Sequence, residues 1–385
     1  MGSQFSSSCT AFVERVYVIH NTTHIFIMPL RPDYPPQTSL LPQAVPRDFT
    51  DHTYATKHGV ALTLRIWPSP TASPSTPYLL WTHGGAYCTG SHYAPPSWVI
   101  PSFRAKGWHV IGIGFRLAPQ VWIEDMVEDI KDAFGWLREN LSSILDSQVD
   151  IDRYAIGGDS SGGTLSTLVG GMLDPKPKAV LDVYGPVNFL ASNFSRPPNP
   201  NPSPGTFDYT EDELATALAD RDPSHAILAA PFEWESKNIS ESEIQARWAV
   251  TSDVFSLAPR VKLQTAVKDY IGRRGPAVGT VLRLNDLKTE EEKLERRKEW
   301  SPHHRADGNY PPTAFLHGLG DAAVPPEQSK EFAKKLKGLG VEVFESYEED
   351  VPHGFDQLYT GPEVDGWDKY IVPLVDFVDK KARAE

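Results

Sequence analysis

The sequence predicts an α/β protein with a mostly parallel central sheet, helices on both faces of that sheet, and an inserted helical cap. Short and almost wholly apolar segments alternate with amphipathic helical segments, as expected for parallel strands that are buried on both faces. A glycine-rich strand-turn-helix lies near the middle of the chain, and a helix-rich stretch interrupts the alternation after it. The 385 residues are enough for one large domain that carries such an insertion.

Residues 1–50 are predicted to be an N-terminal extension that contributes to the cap. Segments 16–20 and 24–28 are candidates for a hairpin across residues 21–23. The proline-spaced segment 31–46 is predicted to be an extended arm over the surface.

Residues 51–190 are predicted to form the first part of the core. A hairpin with a His58-Gly59 turn opens it, because the arm after the turn alternates apolar and polar residues. A long helix follows later, in which Met126 and Ile130 recur at helical spacing. The predicted strands cover residues 54–57, 60–67, 78–81, 108–115, 153–157 and 179–184, and the predicted helices cover residues 122–141 and the residues from 161 onward.

Residues 191–300 are predicted to be the cap, and residues 301–385 the second part of the core. Five prolines between residues 193 and 205 exclude a regular element, so a stiff loop leaves the sheet there. Thr210 and Glu213 have the spacing of a capping box that opens a helix. Further cap helices are predicted over 240–255, 259–273 and 288–300; the core then resumes with strands at 312–317 and 341–347 and helices at 326–336 and 367–384.

The central motif is Gly158-Asp159-Ser160-Ser161-Gly162, a G-x-S-x-G pattern between a strand and a helix. Such a turn pushes the serine hydroxyl out at the C-terminal edge of the sheet, and its glycines let neighbouring segments approach closely. The helix that begins at Ser161 points its free N–H groups and its positive dipole end toward an oxyanion formed beside Ser160. We therefore interpret Ser160 as a candidate nucleophile.

Two further residues follow predicted strands of the same sheet. A serine hydroxyl needs a base that removes its proton and a third group that orients the base. Asp321 and His353 each come directly after a strand of the second part of the core. Because parallel strands share a C-terminal edge, both side chains are expected beside Ser160. Their order in the chain matches one of the known orders of a serine-histidine-aspartate triad.

Attack on an acyl carbon also requires N–H donors for the oxyanion, each of which lowers the barrier by about 3 kcal/mol. Gly84 and Gly85 follow an apolar strand, and their N–H groups are predicted to form this oxyanion hole with the N–H of Ser161. His83 is predicted to bond the loop backbone. Cys88 is predicted to be a small buried residue rather than a reactive thiol.

Four features carry a resemblance when they are taken together: His83-Gly84-Gly85-Ala86, Phe115-Arg116-Leu117-Ala118-Pro119, Gly158-Asp159-Ser160-Ser161-Gly162-Gly163, and Asp321 with His353. Together they resemble the hormone-sensitive-lipase-like branch of the α/β-hydrolases, over residues 55–190 and 300–385. The resemblance implies the α/β-hydrolase fold. It also implies a catalytic triad of Ser160, Asp321 and His353 and an oxyanion hole at Gly84, Gly85 and Ser161. Ala86 stands where that family often has glycine, and the long insertion leaves the choice of substrate open.

The amino-acid composition limits which partners and which location are expected for this protein. The 37 basic and 50 acidic residues give a net charge of -13, which disfavours nucleic acid and anionic membranes and favours a small-molecule substrate. Cys9 and Cys88 have no metal-ligand spacing, so no disulfide framework, metal or cofactor is expected. The longest early apolar run, residues 25–30, is too short for a signal or a membrane span, so a cytoplasmic location is expected. The oligomeric state is left open.

The leading functional hypothesis is hydrolysis of a carboxylic ester or lactone of a small, largely apolar molecule through an acyl-enzyme on Ser160. The alternative keeps the acyl-enzyme but passes the acyl group to a hydroxyl, as an acyltransferase or a lactone-forming cyclase does. A non-catalytic ligand receptor and a lyase are further hypotheses, and the complete serine-aspartate-histidine set disfavours the receptor. Five aromatic residues of the cap are predicted to wall an apolar pocket: Phe232, Trp234, Trp248, Phe255 and Tyr270.

Overall fold

The computed structural model describes residues 17–19, 22–24, 45–191, 201, 204–275 and 277–384. Near the N-terminus, β1 (Tyr17–Ile19) pairs antiparallel with β2 (Thr22–His24). A hairpin is therefore present, but the turn predicted over residues 21–23 was wrong, because Thr22 and Thr23 belong to β2. Residues 25–28 of the predicted second arm lie outside the described residues. Threonine is β-branched and suits a strand, which explains why Thr22 and Thr23 are paired rather than in the turn. Residues 31–44 of the predicted extended arm lie outside the described residues.

An eight-stranded sheet forms the centre of the described structure. Its strands in chain order are β3 (Thr50–Lys57), β4 (Val60–Trp67), β5 (Tyr78–Thr82), β6 (His109–Ile113), β7 (Tyr154–Asp159), β8 (Ala179–Val183), β9 (Thr313–Gly318) and β10 (Val343–Glu348). The order across the sheet is β10-β9-β8-β7-β5-β6-β4-β3, and β4 runs antiparallel to both of its neighbours. The other neighbouring pairs are parallel. The predicted fold class is confirmed.

Helices surround the sheet. They are α1 (Val99–Ala105), α2 (Ile123–Ile144), α3 (Ser161–Gly170), α4 (Glu211–Leu218), α5 (Glu233–Asn238), α6 (Glu241–Trp248), α7 (Pro259–Arg274), α8 (Val278–Val281), α9 (Glu290–Glu299), α10 (Pro302–Arg305), α11 (Glu327–Gly338) and α12 (Val372–Arg383). A single π-helical turn, Trp367–Ile371, precedes α12. The short helices α1, α5, α8 and α10 have no counterpart among the predicted elements, because one or two turns carry too little periodicity to be recognised.

Both faces of the sheet are covered by helices. In β5, Leu80 packs into one core with residues of α2, α3 and α11, whereas Leu79 and Trp81 pack into a second core with residues of α1 and α12. Successive side chains of a strand point to opposite faces, so each central strand needs apolar residues at every position. This double burial is the reason that the strands are almost wholly apolar in sequence.

The helix predicted over residues 240–255 was wrong in length. It ends at Trp248, because Ala249 has left-handed backbone angles of φ 54° and ψ 45°. The fully buried guanidinium of Arg65 donates hydrogen bonds to the carbonyls of both Trp248 and Ala249. A continued helix would use these carbonyls for its own hydrogen bonds, so a contact 183 residues away in sequence ends the helix.

Residues 204–300, called the inserted segment below, lie between β8 and β9 in the chain. Their described elements are helical, and none of them is a strand of the main sheet. The inserted segment lies against loops at the C-terminal edge of the sheet. Gly90 and Ala230 exchange two backbone hydrogen bonds of 2.7 and 3.0 Å. The predicted division of the chain at residues 50, 190 and 300 stays a prediction.

A buried carboxyl in β8 makes stability depend on pH. Asp182 Oδ1 accepts a hydrogen bond of 2.8 Å from the N–H of Gly185, while Oδ2 has no partner among the described residues. Burial raises the pKa of Asp182 to about 7. Because this folded-state pKa lies above the unfolded value, the folded protein binds the extra proton, and its stability falls as pH rises toward 7.

We expect Asp182→Asn to be more stable than the wild type, since the amide keeps the Oδ1 acceptor and cannot ionise. The difference in the free energy of unfolding should widen by about 1.4 kcal/mol per pH unit between pH 5 and 7 and level off above. Urea denaturation of both proteins across this range measures it. A difference that does not change with pH would contradict the ionisation of Asp182.

Candidate active site

The turn between β7 and α3 holds Ser160 in a strained backbone conformation. Its angles are φ 52° and ψ -122°, a region that costs a non-glycine residue on the order of 1–3 kcal/mol. The N–H of Ser160 donates a 2.8 Å hydrogen bond to the carbonyl of Val183 at the end of β8. A Cβ at Gly162 would overlap the carbonyl of Thr82, so the start of α3 lies directly against β5. This close packing keeps the turn in its strained form.

The side chains of Ser160, His353 and Asp321 lie in one hydrogen-bonded chain. His353 Nε2 is 3.0 Å from Ser160 Oγ, and His353 Nδ1 is 2.6 Å from Asp321 Oδ2. These residues follow β7, β10 and β9, three strands whose carboxyl ends lie at the same edge of the sheet. The structure therefore brings together the three residues that the sequence predicts as a triad.

Asp321 is held as an anion by its surroundings. Oδ1 accepts hydrogen bonds of 2.8 Å from the N–H groups of both Ala323 and Val324. Burial alone would raise the pKa of Asp321, but the charge and hydrogen bonds of His353 and His317 outweigh it and hold the pKa well below its usual range. An ionised carboxylate accepts the Nδ1–H proton of His353, which leaves Nε2 of that ring free to face Ser160.

The pKa of His353 is raised above its ordinary value. Burial opposes the charged imidazolium, but nearby Asp321, helped by Asp356 and Asp159, stabilises the imidazolium more strongly. The ring also lies against Tyr184, with 4.6 Å between ring centroids. His353 is thus a stronger base than a free histidine, and it holds a proton more readily once it has taken one.

The loop after β5 has positive φ values at four positions, two of which are not glycine. Gly85, Ala86, Tyr87 and Gly90 all have positive φ values, of 120°, 52°, 66° and 96°. Glycine tolerates such angles, whereas Ala86 and Tyr87 do so at a cost of about 1–3 kcal/mol each. The loop therefore depends on hydrogen bonds from its surroundings to keep its shape.

Three of the loop's neighbours supply such bonds. The N–H of Tyr87 donates to Ser161 Oγ at 3.2 Å, and the Tyr87 hydroxyl donates to Thr164 Oγ1 at 3.0 Å. The carbonyl of Tyr87 accepts from the N–H of Ala118 at 2.9 Å. Ser161, predicted to serve only through its N–H, thus also fixes the loop through its hydroxyl.

The predicted oxyanion donors pack differently against their surroundings. A Cβ at Gly84 would overlap the carboxyl of Asp159, so the backbone there lies directly against that side chain, whereas no acceptor lies within reach of the N–H groups of Gly85 and Ala86 in the part of the chain that the structure describes. Both residues line the cavity in front of Ser160. Ala86 was not among the predicted donors. The sequence marks it only by its place directly after the glycine pair.

Two buried carboxyls behind His353 were not predicted. Burial and the nearby charge of Asp356 raise the pKa of Asp159 to about 7, although Trp81 Nε1–H donates to it at 3.1 Å. Asp356 accepts hydrogen bonds from the Tyr184 hydroxyl at 2.6 Å and from Trp98 Nε1–H at 2.9 Å. Asp356 thereby holds the Tyr184 ring against His353. The only sequence signal is that Asp356 comes three residues after His353.

The predictions for two neighbouring residues are confirmed. His83 Nδ1–H donates to the carbonyl of Gly84 at 2.8 Å, and the ring stacks on Phe115 at 4.5 Å. Burial lowers the pKa of His83 to about 4, which keeps the ring neutral. Cys88 is a buried free thiol whose pKa burial raises to about 12, so it does not form a thiolate nucleophile at neutral pH.

The comparisons with known proteins agree with this geometry. The BD-FAE family model matches residues 64–229, and the prolyl oligopeptidase family model matches residues 278–364. Ethyl acetate hydrolase of Pseudomonas putida is 32% identical over 130 residues, which are 33% of this chain and 40% of that protein. The chain has the α/β-hydrolase fold, and each of these three matches covers less than half of it.

Two further similarities extend over most of this α/β-hydrolase. The non-reducing polyketide synthase Preu6 of Preussia isomera is 28% identical over 341 residues, which are 84% of this chain and 14% of that protein. The structure of EstE1, a carboxylesterase cloned from a metagenomic library, superposes with a TM-score of 0.55 at 20% identity and covers 90% of this chain and 93% of that one. The structural similarity shows a shared fold. The chain spans less than half the length of both curated relatives.

A cavity of about 670 Å³ opens in front of Ser160. The loop after β5 and His353 form its floor, and α5 and α7 of the inserted segment form its opposite wall. Of the five aromatic residues predicted to wall a pocket, Phe232 and Trp234 line this cavity. The prediction was wrong for the other three, which are buried in packed cores away from the cavity: Trp248, Phe255 and Tyr270.

Within the described ranges, histidine, cysteine and carboxylate side chains form no cluster of three or more that is arranged to hold a metal ion. None of the helices that the structure describes combines the length and the hydrophobicity needed to cross a bilayer.

The charge of Asp321 should set the pH profile of activity. Asp321→Asn removes the anion that raises the pKa of His353, so the acid limb of the kcat/KM profile should move to lower pH. The maximal kcat should fall by roughly 10³–10⁴-fold, because an amide no longer holds the imidazole in the productive tautomer. Exposed Asp365 provides the control, and Asp365→Asn should leave both quantities unchanged. An acid limb that stays in place in Asp321→Asn would contradict this coupling.

Proposed function

We propose that this α/β-hydrolase is a serine hydrolase that cleaves a carboxylic ester or lactone of a small, largely apolar molecule. The observation that carries the proposal is the hydrogen-bonded chain from Ser160 Oγ through His353 to Asp321, with distances of 3.0 and 2.6 Å. These distances are those of a nucleophile, its general base and the group that orients the base.

In the proposed acylation step, His353 Nε2 takes the Ser160 hydroxyl proton as Oγ bonds to the ester carbon. The ester carbonyl becomes an oxyanion, and the imidazolium is stabilised by Asp321. The intermediate then collapses, the bond to the alcohol oxygen breaks, and His353 returns its proton to that oxygen. In the proposed deacylation step, His353 takes a proton from a water molecule as the water oxygen bonds to the acyl carbon. The bond from that carbon to Ser160 Oγ then breaks, Oγ regains the proton from His353, and the acid is released.

The oxyanion is proposed to bind N–H groups at the positive end of α3 and in the loop after β5. Ser161 supplies the first of these donors, and Gly85 and Ala86 supply the others. Gly84, also predicted from the sequence as a donor, stays a prediction in that role; it lets the loop lie against the carboxyl of Asp159, which a Cβ there would overlap. Preorganised donors of this kind are each worth about 3 kcal/mol of barrier lowering.

The cavity limits the size and character of the substrate. A volume of about 670 Å³ falls in the range that holds a small organic molecule. Phe232, Trp234 and Ile271 give its far wall an apolar character, while Lys268 and Glu233 form an ion pair of 2.6 Å on the same wall. We therefore propose an acyl or alcohol group that is mostly apolar and carries a few polar atoms.

Release of p-nitrophenol from esters of increasing acyl length tests the proposal. Ser160→Ala should lose activity by more than about 10³-fold, because the nucleophile is gone. Ser161→Ala should lose less than about tenfold, since it forfeits one ordinary hydrogen bond to Tyr87. Ser166→Ala is the matched control, because this hydroxyl bonds only within α3 at 3.0 Å and should be dispensable. A folded wild type that cleaves none of the esters would contradict the esterase proposal.

A second candidate function is acyl transfer to a hydroxyl, which would make an ester or close a lactone. It is favoured by the similarity of 84% of this chain to part of a protein named as a polyketide synthase. The inserted segment covers one side of the cavity and would limit access of water to an acyl-enzyme. The ratio of acid to ester product, measured with an added alcohol acceptor, distinguishes the two functions. Acyl transfer predicts more ester than the relative concentrations of alcohol and water would give.

We also propose that the protein is located in the cytoplasm and that its partner is a small-molecule substrate. Support comes from the net charge of -13, which disfavours nucleic acid, and from the two cysteines, which form no disulfide framework in the sequence.

A further inference from the structure

One buried amide joins α7 of the inserted segment to the loop after β5. Gln264 is 4% exposed, and its Nε2 donates a 2.9 Å hydrogen bond to the carbonyl of Cys88. The same nitrogen donates a second hydrogen bond to the carbonyl of Ala118. A single side chain thus ties three segments that are far apart in the sequence.

One of these two carbonyls lies within the loop after β5, residues 84–90, and the other lies beside it. Cys88 lies within the strained loop itself, two residues after Ala86. Ala118 donates its own N–H to the carbonyl of Tyr87 at 2.9 Å, so it already supports the loop from outside. Gln264 therefore acts on the loop both directly and through its support.

The same helix that carries Gln264 also forms a wall of the cavity. Lys268, Ile271 and Gly272 of α7 line the cavity, one to two turns after Gln264. A ligand that contacts α7 therefore contacts the helix that holds the loop. The loop cannot keep its positive φ values on its own, because Ala86 and Tyr87 disfavour them.

We propose that Gln264 is a positioning residue that sets the oxyanion donors of the loop, so that the inserted segment takes part in transition-state stabilisation as well as in substrate binding. This inference rests on the proposed serine hydrolase function. Gln264 itself does not touch the reacting atoms and acts through the backbone of Cys88 and Ala118.

The test compares Gln264→Leu with Gln245→Leu on an ester that the wild type cleaves. Gln245 is the matched control, because its amide also donates to a backbone carbonyl, that of Phe255 at 2.9 Å, but within the inserted segment. Gln264→Leu should lower kcat at least tenfold with KM changed less than threefold. Its affinity for a trifluoromethyl ketone, which forms the tetrahedral adduct, should fall by the same factor as kcat. Gln245→Leu should leave both quantities within twofold of the wild type.

A second variant keeps the inference testable if Gln264→Leu does not fold. In Gln264→Glu a protonated carboxyl can still donate to one of the two carbonyls, whereas the ionised form only repels them. Burial favours the protonated form, so kcat should be partly retained at mildly acidic pH and fall as pH rises through the pKa of the new carboxyl. The wild type should show no such alkaline loss. A general structural defect would lower kcat by the same factor at every pH.

The outcomes separate this inference from the function on which it rests. Loss of activity in Ser160→Ala together with unchanged kcat in Gln264→Leu would overturn the role of Gln264 and leave the hydrolase proposal intact. A rise in KM alone would also overturn it, because it would assign Gln264 to substrate binding only. Full activity in Ser160→Ala would instead overturn the hydrolase proposal itself.

Discussion

The strained backbone of Ser160 is the constraint on which the rest of the candidate site depends. At φ 52° and ψ -122° the residue would relax if its neighbours allowed it. They do not, because its N–H is bonded to the end of β8 and because Gly162 lies against the carbonyl of Thr82 with no room for a Cβ. The strain is thus balanced by sheet hydrogen bonds and close packing. The Ser160 hydroxyl stays at the edge of the sheet to which β9 and β10 bring Asp321 and His353, where it lines the cavity.

The loop after β5 is a second strained segment, but it is held by different interactions. Residues 84–90 belong to no strand of the main sheet. Hydrogen bonds from α3, from the turn near Ala118 and from the inserted segment hold them, including the pair that Gly90 exchanges with Ala230. The loop thereby links the elements that would bind a substrate to those that would stabilise its transition state.

Much of this could be predicted from the sequence because it depends on short-range pattern and on one topological rule. Apolar strands followed by Ser160, Asp321 and His353 place these residues at one edge of a parallel sheet, whatever lies between them. By contrast, the end of α6 at Trp248 depends on Arg65, and the loop depends on Gln264, contacts that join residues more than 140 positions apart. Local propensity carries no trace of either contact. The close packing of Gly84 against the carboxyl of Asp159 also follows only from how closely two backbone segments approach.

Covalent labelling by a fluorophosphonate tests the central claim most directly, namely that Ser160 is an activated nucleophile. Such a reagent requires a serine oxygen that a base has activated and donors that bind the phosphoryl oxygen, and it requires no knowledge of the natural substrate. The account predicts one adduct per chain on the peptide that contains Ser160, formed at a rate that falls as pH drops through the raised pKa of His353. A protein that is denatured before the reagent is added should form no adduct. A folded protein that gives no adduct, or one labelled at another serine, would contradict it.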